Sequence, residues 1–185
     1  MGTRNLTIVI QDKKPVVAQY GQWDGYPEGQ GTTCLNFLLN CDLNRFKEVL
    51  TRCRFIESKQ SEQYHKKNPF LTRDNGAGIL NLLYEDKTDK LLWIHDNSEF
   101  AADSLFCEWA YVIDLDKNTF EVYTGFNYSP LTENDRFYPL QKDNIHFEDQ
   151  YYPVKHLITF TLDNLPQTAV EFVQKCEQLK TKEEE

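Results

Sequence analysis

The sequence predicts an α+β domain with a mainly antiparallel sheet, and three observations support this class. Short β-branched or alternating runs occur in pairs separated by turn residues, which is typical of hairpins. Apolar residues recur at helical spacing between and after these pairs. The chain has 185 residues and is 40% hydrophobic, which is enough to bury one core. We expect a single domain over residues 1–180 with helices packed on the sheet, followed by an acidic tail, 181–185, that frays.

The chain begins with a predicted hairpin and an unusual loop. Residues 6–10 and 15–20 are two β-branched runs on either side of a short polar turn. Residues 23–31 then hold three glycines and a proline in nine positions, and we call this segment the tryptophan loop. Glycine lets the backbone approach a ligand closely, so this loop is the first candidate site.

Three of the predicted helices begin after a residue that can cap the first helical turn. The predicted caps, in chain order, are Thr32 or Thr33, Asp42, and Thr72 or Asp74. The helix after Asp42 is predicted to run through Cys53, which shares its apolar face. A last helix is predicted to begin at Pro166.

Further strands are predicted in the second half. Residues 91–94, 109–114 and 154–162 read as strands, and 119–123 completes a second hairpin with 109–114. The polar residues 57–69 are predicted to form a loop or a mobile lid. The order of hairpins and helices is also compatible with a two-layered sandwich of the N-terminal-nucleophile type.

Charge and composition exclude several classes of function. The net charge of −9 makes the average surface repel phosphate, so generic DNA binding is not expected. An acidic face could dock on a basic protein groove, but an ordinary solvated surface is the favoured alternative. No run approaches the length of a membrane span, and no leader precedes the first strand, so we expect no membrane contact and a cytoplasmic location. Five scattered cysteines without a C-x-x-C pair argue against disulfides and zinc.

The tryptophan loop brings amide, aromatic and carboxylate groups near one another in sequence. The candidate binding residues are Gln19, Tyr20, Gln22, Trp23, Asp24 and Tyr26, together with Glu108 from a later segment. The loop lacks the lysine and the glycine spacing of phosphate-binding loops. The alternative is a turn that Trp23 and Tyr26 pin onto the core.

A second candidate site lies in residues 95–109. Glu99 and Asp103 are four residues apart and would share one face of a helical turn, where they could hold a divalent cation that activates water. Solvent-facing carboxylates on a helix are the alternative, and no other cofactor is expected. Cys107 beside Glu108 and His95 could be a thiol nucleophile, but its apolar neighbours favour a buried, inert cysteine.

The two candidate sites combine into the hypothesis of a hydrolase or metal-dependent nuclease with a carboxylate-rich pocket. Glu28, Glu99 and Asp103 would hold a metal or act as acid and base, and Arg4 would neutralise an anionic transition state. A small-molecule binding module with the same pocket and no chemistry is the alternative. The sequence leaves open whether the chain is an enzyme.

Three motifs resemble a known family. They are GTRNL at residues 2–6, QYGQWDGYPEGQG at 19–31 and EFAADSLFCEWAYVIDLD at 99–116. Together they resemble a widespread family of small proteins from bacteriophages, mobile elements and bacteria, over nearly the whole chain. The resemblance implies a counter-defence function, such as that of anti-CRISPR proteins, which inhibit Cas9 by binding it or by damaging its guide RNA. The implied partner is a host defence nuclease such as Cas9, or its guide-RNA complex. The resemblance implies no role for an individual residue.

Overall fold

Two β-sheets form the framework of the computed structural model, which describes residues 2–56, 68–72, 74–141 and 151–184. Five strands form the main sheet in the order β2-β1-β5-β6-β7, and β3 and β4 pair in parallel beside it. The strands are β1 (Asn5–Gln11), β2 (Lys14–Gly21), β3 (Cys53–Phe55), β4 (Leu92–Ile94), β5 (Trp109–Asp114), β6 (Thr119–Thr124) and β7 (Lys155–Thr161). The predicted α+β class is confirmed.

Both predicted hairpins form. In the turn between β1 and β2, Asp12 and Lys13 adopt positive φ angles of 55° and 64°, and Asn118 does the same, at 59°, between β5 and β6. Such backbone angles match the twist of paired strands, and Asp and Asn tolerate them better than most residues.

The predicted sheet, mainly antiparallel and built from hairpins, is confirmed, and it has one parallel pair at its centre. There β1 pairs in parallel with β5, with Asn5 opposite Trp109 and Ile10 opposite Asp114. Residues 5–10 are all buried, including the polar Asn5 and Thr7, as expected for a central strand that is covered on both faces. The sheet is therefore mixed, although mostly antiparallel.

The helices all pack on one face of this sheet. They are α1 (Thr32–Asn40), α2 (Leu43–Leu50), α3 (Gly78–Glu85) and α4 (Ala169–Glu184). They cover Val9, Tyr111 and Phe120 on the sheet. On the opposite face, Leu6 and Val112 are covered mainly by loops and short 3-10 turns. We call this opposite side the loop-covered face.

One of the predicted caps is confirmed, and another is wrong. Asp42 accepts hydrogen bonds from the backbone N–H groups of Asn44 and Arg45 at 2.8 and 3.2 Å. Thr32 and Thr33 do not cap α1, because a π-helical turn, Pro27–Gly31, leads directly into it. Their hydroxyls instead donate to the carbonyls of that turn.

The start of α3 is also set differently. Neither Thr72 nor Asp74 caps this helix, which begins after Ala77. The side chain of Gln30, from the tryptophan loop, accepts a hydrogen bond from the Ala77 N–H at 2.7 Å. A residue far away in sequence thus takes the place of a local cap.

Three further boundaries differ from the prediction or extend it. α2 ends at Leu50, so Cys53 begins β3 and does not continue the helix. α4 begins at Ala169, three residues after Pro166, and is assigned through Glu184. The predicted lid at 57–69 lies almost wholly outside the described residues.

No helix in the described part of the chain has both the length and the apolar character needed to cross a membrane.

Candidate functional site

A cleft with a volume of about 820 Å³ opens beside the start of β1. Arg4 lies two residues before Leu6, and alternate residues along an extended backbone face the same side of a sheet. The cleft therefore lies on the loop-covered face. We call it the Arg4 cleft. It is lined by Arg4, Tyr20, Leu71, His95, Asn97, Glu99, Phe100, Asp103 and Phe106.

The strand register places two of these side chains. Tyr20 lies near the end of β2, directly opposite Leu6, and lines the same cleft as Arg4. On the other side of β1, Glu108 donates its backbone N–H to the Arg4 carbonyl at 3.1 Å and accepts the Arg4 N–H on its side chain at 3.2 Å. Arg4 is thus held between two neighbouring strands.

The segment after β4 forms the facing wall. Asn97 donates its N–H to the Ala18 carbonyl at 3.0 Å, and its side-chain oxygen accepts from the Tyr20 N–H at 3.2 Å. The ring of Phe100 packs edge-on against Tyr20 with centroids 5.0 Å apart. His95 Nε2 lies 3.2 Å from the Leu71 carbonyl oxygen. These contacts anchor the wall to the edge of β2.

The two predicted carboxylates reach the cleft by a different geometry. The turn Ser98–Ala102 is a 3-10 helix, and Asp103 follows it in an extended conformation, so the α-helical spacing that we predicted is wrong. Glu99 and Asp103 nevertheless line the same cleft. Within the described residues, no group of three or more His, Cys, Asp or Glu side chains could hold a metal ion. A cation shared by Glu99 and Asp103 alone stays a prediction.

Arg4 supplies the positive charge of the cleft. Its guanidinium carbon lies 4.6 Å from the centroid of the Phe106 ring, in a cation–π contact. Its Nε atom is buried and has no hydrogen-bond partner among the described residues. Arg4 lines the cleft and forms no ion pair among the described residues, so an anionic group that entered here would meet a positive charge that no carboxylate neutralises.

The tryptophan loop lies on the other side of the amino-terminal segment. Gly25 donates its N–H to the Thr3 carbonyl at 3.0 Å, one residue before Arg4. Asp24, Tyr26 and Glu28 line a separate depression with a volume of about 450 Å³. The loop and residues 99–108 therefore flank the same stretch of backbone but line different cavities.

The predicted site residues divide between these places. Arg4, Tyr20, Glu99 and Asp103 share the cleft, whereas Glu28 lies in the separate depression. Gln22 accepts a hydrogen bond from the Tyr20 hydroxyl at 2.5 Å but is not among the described lining residues of the cleft. Gln19 is buried and donates its side-chain amide to the Tyr20 carbonyl at 2.8 Å, which is a structural role.

Sequence reasoning missed several lining residues. Leu71, Asn97, Phe100 and Phe106 were not singled out, and His95 was considered only as a partner for Cys107. The available signal was the polar run 95–99 directly after an apolar strand, since such loops at strand ends commonly form sites.

Two sequence alternatives are decided by burial. Trp23 and Tyr26 are 57% and 53% exposed, so the interpretation that they pin the loop onto the core is wrong. Cys107 is fully buried, and its thiol lies 3.5 Å from the Trp109 carbonyl oxygen. Burial, and then the negative charges of Asp103 and Glu108, raise the pKa of the Cys107 thiol, which argues against a nucleophile.

Comparison of the chain with protein-family models, with curated proteins and with solved structures finds no match. The resemblance described from the three motifs therefore stays a prediction.

Proposed function

We propose that this protein binds a small anionic ligand in the Arg4 cleft. The observation that carries the proposal is the Arg4 side chain, which lines the cleft, stacks on Phe106 and forms no ion pair among the described residues. The guanidinium is the side chain best suited to planar, bidentate recognition of a carboxylate or phosphate.

The rest of the cleft narrows the chemistry of the ligand. Glu99 and Asp103 can accept hydrogen bonds from hydroxyl or ammonium groups. Phe100, Phe106 and Leu71 offer apolar surface beside them. The ligand therefore combines an anionic group for Arg4 with hydrogen-bond donors for the carboxylates, as amino acids and sugar phosphates do.

Calorimetric titration with amino acids, sugar phosphates, nucleotides and inorganic phosphate tests this proposal. We expect at least one of these ligands to bind the native protein, and Arg4→Gln to abolish its binding. Arg4→Lys should bind at reduced affinity, because lysine keeps the charge but lacks the planar guanidinium that can donate two parallel hydrogen bonds. Arg54→Gln, which removes an exposed arginine outside the cleft, is the matched control. Equal affinity in native protein and Arg4→Gln, or no binding across the whole panel, contradicts the proposal.

Hydrolysis in the same cleft is tested by two further variants. Arg4, Glu99 and Asp103 share the cavity, which favours acid–base chemistry over the wider set that included Glu28. Glu99→Gln and Asp103→Asn should abolish any turnover of a bound phosphoester or amide. Turnover that persists in both variants contradicts a catalytic role for Glu99 and Asp103.

Inhibition of a host defence nuclease through protein contact is a second proposal. What supports it is the net charge of −9 together with the exposed aromatic rings of the tryptophan loop, because Trp and Tyr are enriched in protein interfaces. Cleavage of target DNA by Cas9 and its guide RNA, measured with increasing amounts of this protein, provides the test. Guide RNA recovered from the same reactions distinguishes blocking from guide-RNA damage. Full cleavage at saturating protein, across Cas9 and other defence nucleases, contradicts it.

A further inference from the structure

We propose that the tryptophan loop is a docking site for a lysine- or arginine-rich segment of a partner protein. The docking site is formed by Trp23, Asp24, Tyr26 and Glu28, and it is separate from the Arg4 cleft. Docking at the loop does not depend on ligand binding in the cleft.

The loop backbone is fixed in place. The Tyr111 hydroxyl, from the buried centre of β5, donates to the Gly25 carbonyl at 2.7 Å. Gln30 donates its backbone N–H to the Asp24 carbonyl at 2.8 Å and its side-chain amide to the Trp23 carbonyl at 3.3 Å. Because the backbone is already ordered, binding a partner costs little conformational entropy here.

Buried and exposed residues alternate along this fixed backbone. Gly25 and Pro27 are buried, whereas Asp24, Tyr26 and Glu28 are exposed. Gly25 must remain without a side chain, since a Cβ atom there would lie 2.6 Å from the Thr3 carbonyl oxygen. Because Gly25 and Pro27 pack closely against the protein, the side chains of the residues between and beside them face the surface.

Two large aromatic rings are exposed within four residues of one another. Scattered apolar side chains are common on protein surfaces, but Trp23 and Tyr26 share one rigid loop with more than half of each side chain exposed. Rigid aromatic rings supply contact area at low entropic cost and dominate many interfaces. The rings therefore provide the apolar part of a docking surface.

Charge selects the occupant. Tyr26 lines the depression together with two carboxylates, on Asp24 and Glu28, and no cation is among its described lining residues. Aromatic faces and carboxylates together attract lysine and arginine side chains by cation–π contact and ion pairing. Phosphate backbones would be repelled by the same carboxylates and by the net charge of −9. A basic peptide segment is thus favoured over RNA.

Fluorescence polarisation with labelled octa-arginine and octalysine tests the proposal, with octaglutamate and an oligouridylate of equal length as competing probes. We expect the basic peptides to bind and their affinity to fall with added salt. Trp23→Ala should weaken binding about tenfold through loss of the cation–π contact and its buried area. The charge-neutralised pair Asp24→Asn with Glu28→Gln should weaken it at least as much, and asparagine tolerates the positive φ of 54° at position 24.

Matched controls separate docking from net charge. Glu133→Gln with Glu177→Gln removes the same two charges from exposed positions outside the loop and should leave binding unchanged. Arg4→Gln should also leave it unchanged, so failure of cleft binding and failure of docking are distinguishable. The proposal is overturned if both charge pairs weaken binding equally, if the oligouridylate binds at the loop instead, or if no basic peptide binds. Self-association that Trp23→Ala abolishes would assign the surface to a second copy of the chain and overturn it as well.

Discussion

Arg4 and Glu108 exchange two hydrogen bonds, at 3.1 and 3.2 Å, across the start of the parallel strand pair β1 and β5. These residues are 104 positions apart in sequence. The pair fixes the backbone from which the Arg4 side chain enters the cleft.

Removal of the Glu108 side chain should loosen this part of β1. We expect Glu108→Ala to lower the free energy of unfolding by about 1 kcal/mol, because one partly buried hydrogen bond is lost. Hydrogen exchange of the Arg4 amide, followed by NMR, should become faster. Glu108→Gln keeps an oxygen acceptor and should retain protection, so equal exchange in both variants would argue that this bond is unimportant.

Arg136 holds two buried carboxylates, and its removal should be far more costly. Its guanidinium lies 2.7 Å from Asp114 and from Glu121, whose side chains are only 3% and 8% exposed. Arg136→Met leaves both charges buried and unpaired, for an expected loss of about 3–5 kcal/mol in urea denaturation. Lys175→Met breaks an exposed pair with Glu171, which solvent screens, and should cost far less stability than Arg136→Met. Similar losses in the two variants would contradict this assignment.

The same network predicts a loss of stability in acid. Burial raises the pKa of Glu121, but the bonds from Arg136, Tyr123 and Thr119 outweigh it and hold that pKa below its ordinary value. A carboxyl with a lowered folded-state pKa stabilises the fold above its unfolded pKa, and this stability is lost as pH falls through the folded pKa. The free energy of unfolding should therefore fall as pH drops below about 4.3.

Glu121→Gln isolates this contribution. The variant should be less stable at neutral pH and should lose less stability than the native protein between neutral pH and about pH 3. Urea denaturation at a series of pH values measures both curves. Parallel curves would assign the acid sensitivity to other carboxyls.

The hydroxyl of Tyr111 should control the order of the tryptophan loop. Tyr111→Phe leaves the buried ring in place but removes the bond to the Gly25 carbonyl, and we expect a loss of about 1–2 kcal/mol in the free energy of unfolding. Trp23→Ala, at an exposed position, should change stability by less than about 0.5 kcal/mol. Thermal and urea denaturation of the two variants measure both losses of stability. A larger loss in Trp23→Ala than in Tyr111→Phe would contradict this prediction.

The thiols should be unreactive in the folded protein. Burial raises the pKa of Cys34 to about 12 and that of Cys41 to about 11, and Cys107 is shifted in the same direction. Cys41 is the only one of the five that is not buried, so labelling by iodoacetamide at neutral pH should be slow and should begin there. Rapid labelling of Cys107, detected by peptide mass spectrometry, would restore it as a nucleophile candidate.

Local patterns in the sequence predicted most individual elements. The alternation of residues 109–113 correctly assigned Tyr111 and Val112 to opposite faces of a strand, and Asp42 correctly marked a helix start. These features depend on neighbouring residues, so they are readable from a short window.

Long-range pairing is what the sequence did not disclose. The parallel contact of β1 with β5 and the use of Gln30 to cap α3 join residues that no local pattern connects. The Arg4 cleft depends on the same pairing, so Arg4, Glu99 and Asp103 could be proposed as site residues but not placed together with Asn97 and Phe106. Glu28 was grouped with them because the turn that carries it away could not be foreseen.

The parallel seam between β1 and β5 also sets an order of events during synthesis. The first strand and its hairpin partner leave the ribosome long before Trp109–Asp114. The edge of β1 that pairs with β5 in the folded protein therefore stays unpaired until then. Contacts between such distant positions slow folding, since a long chain segment must close before the pairing stabilises it. The nascent chain therefore passes through a stage in which the apolar residues of β1 are exposed, and chaperone binding at that stage would act on β1.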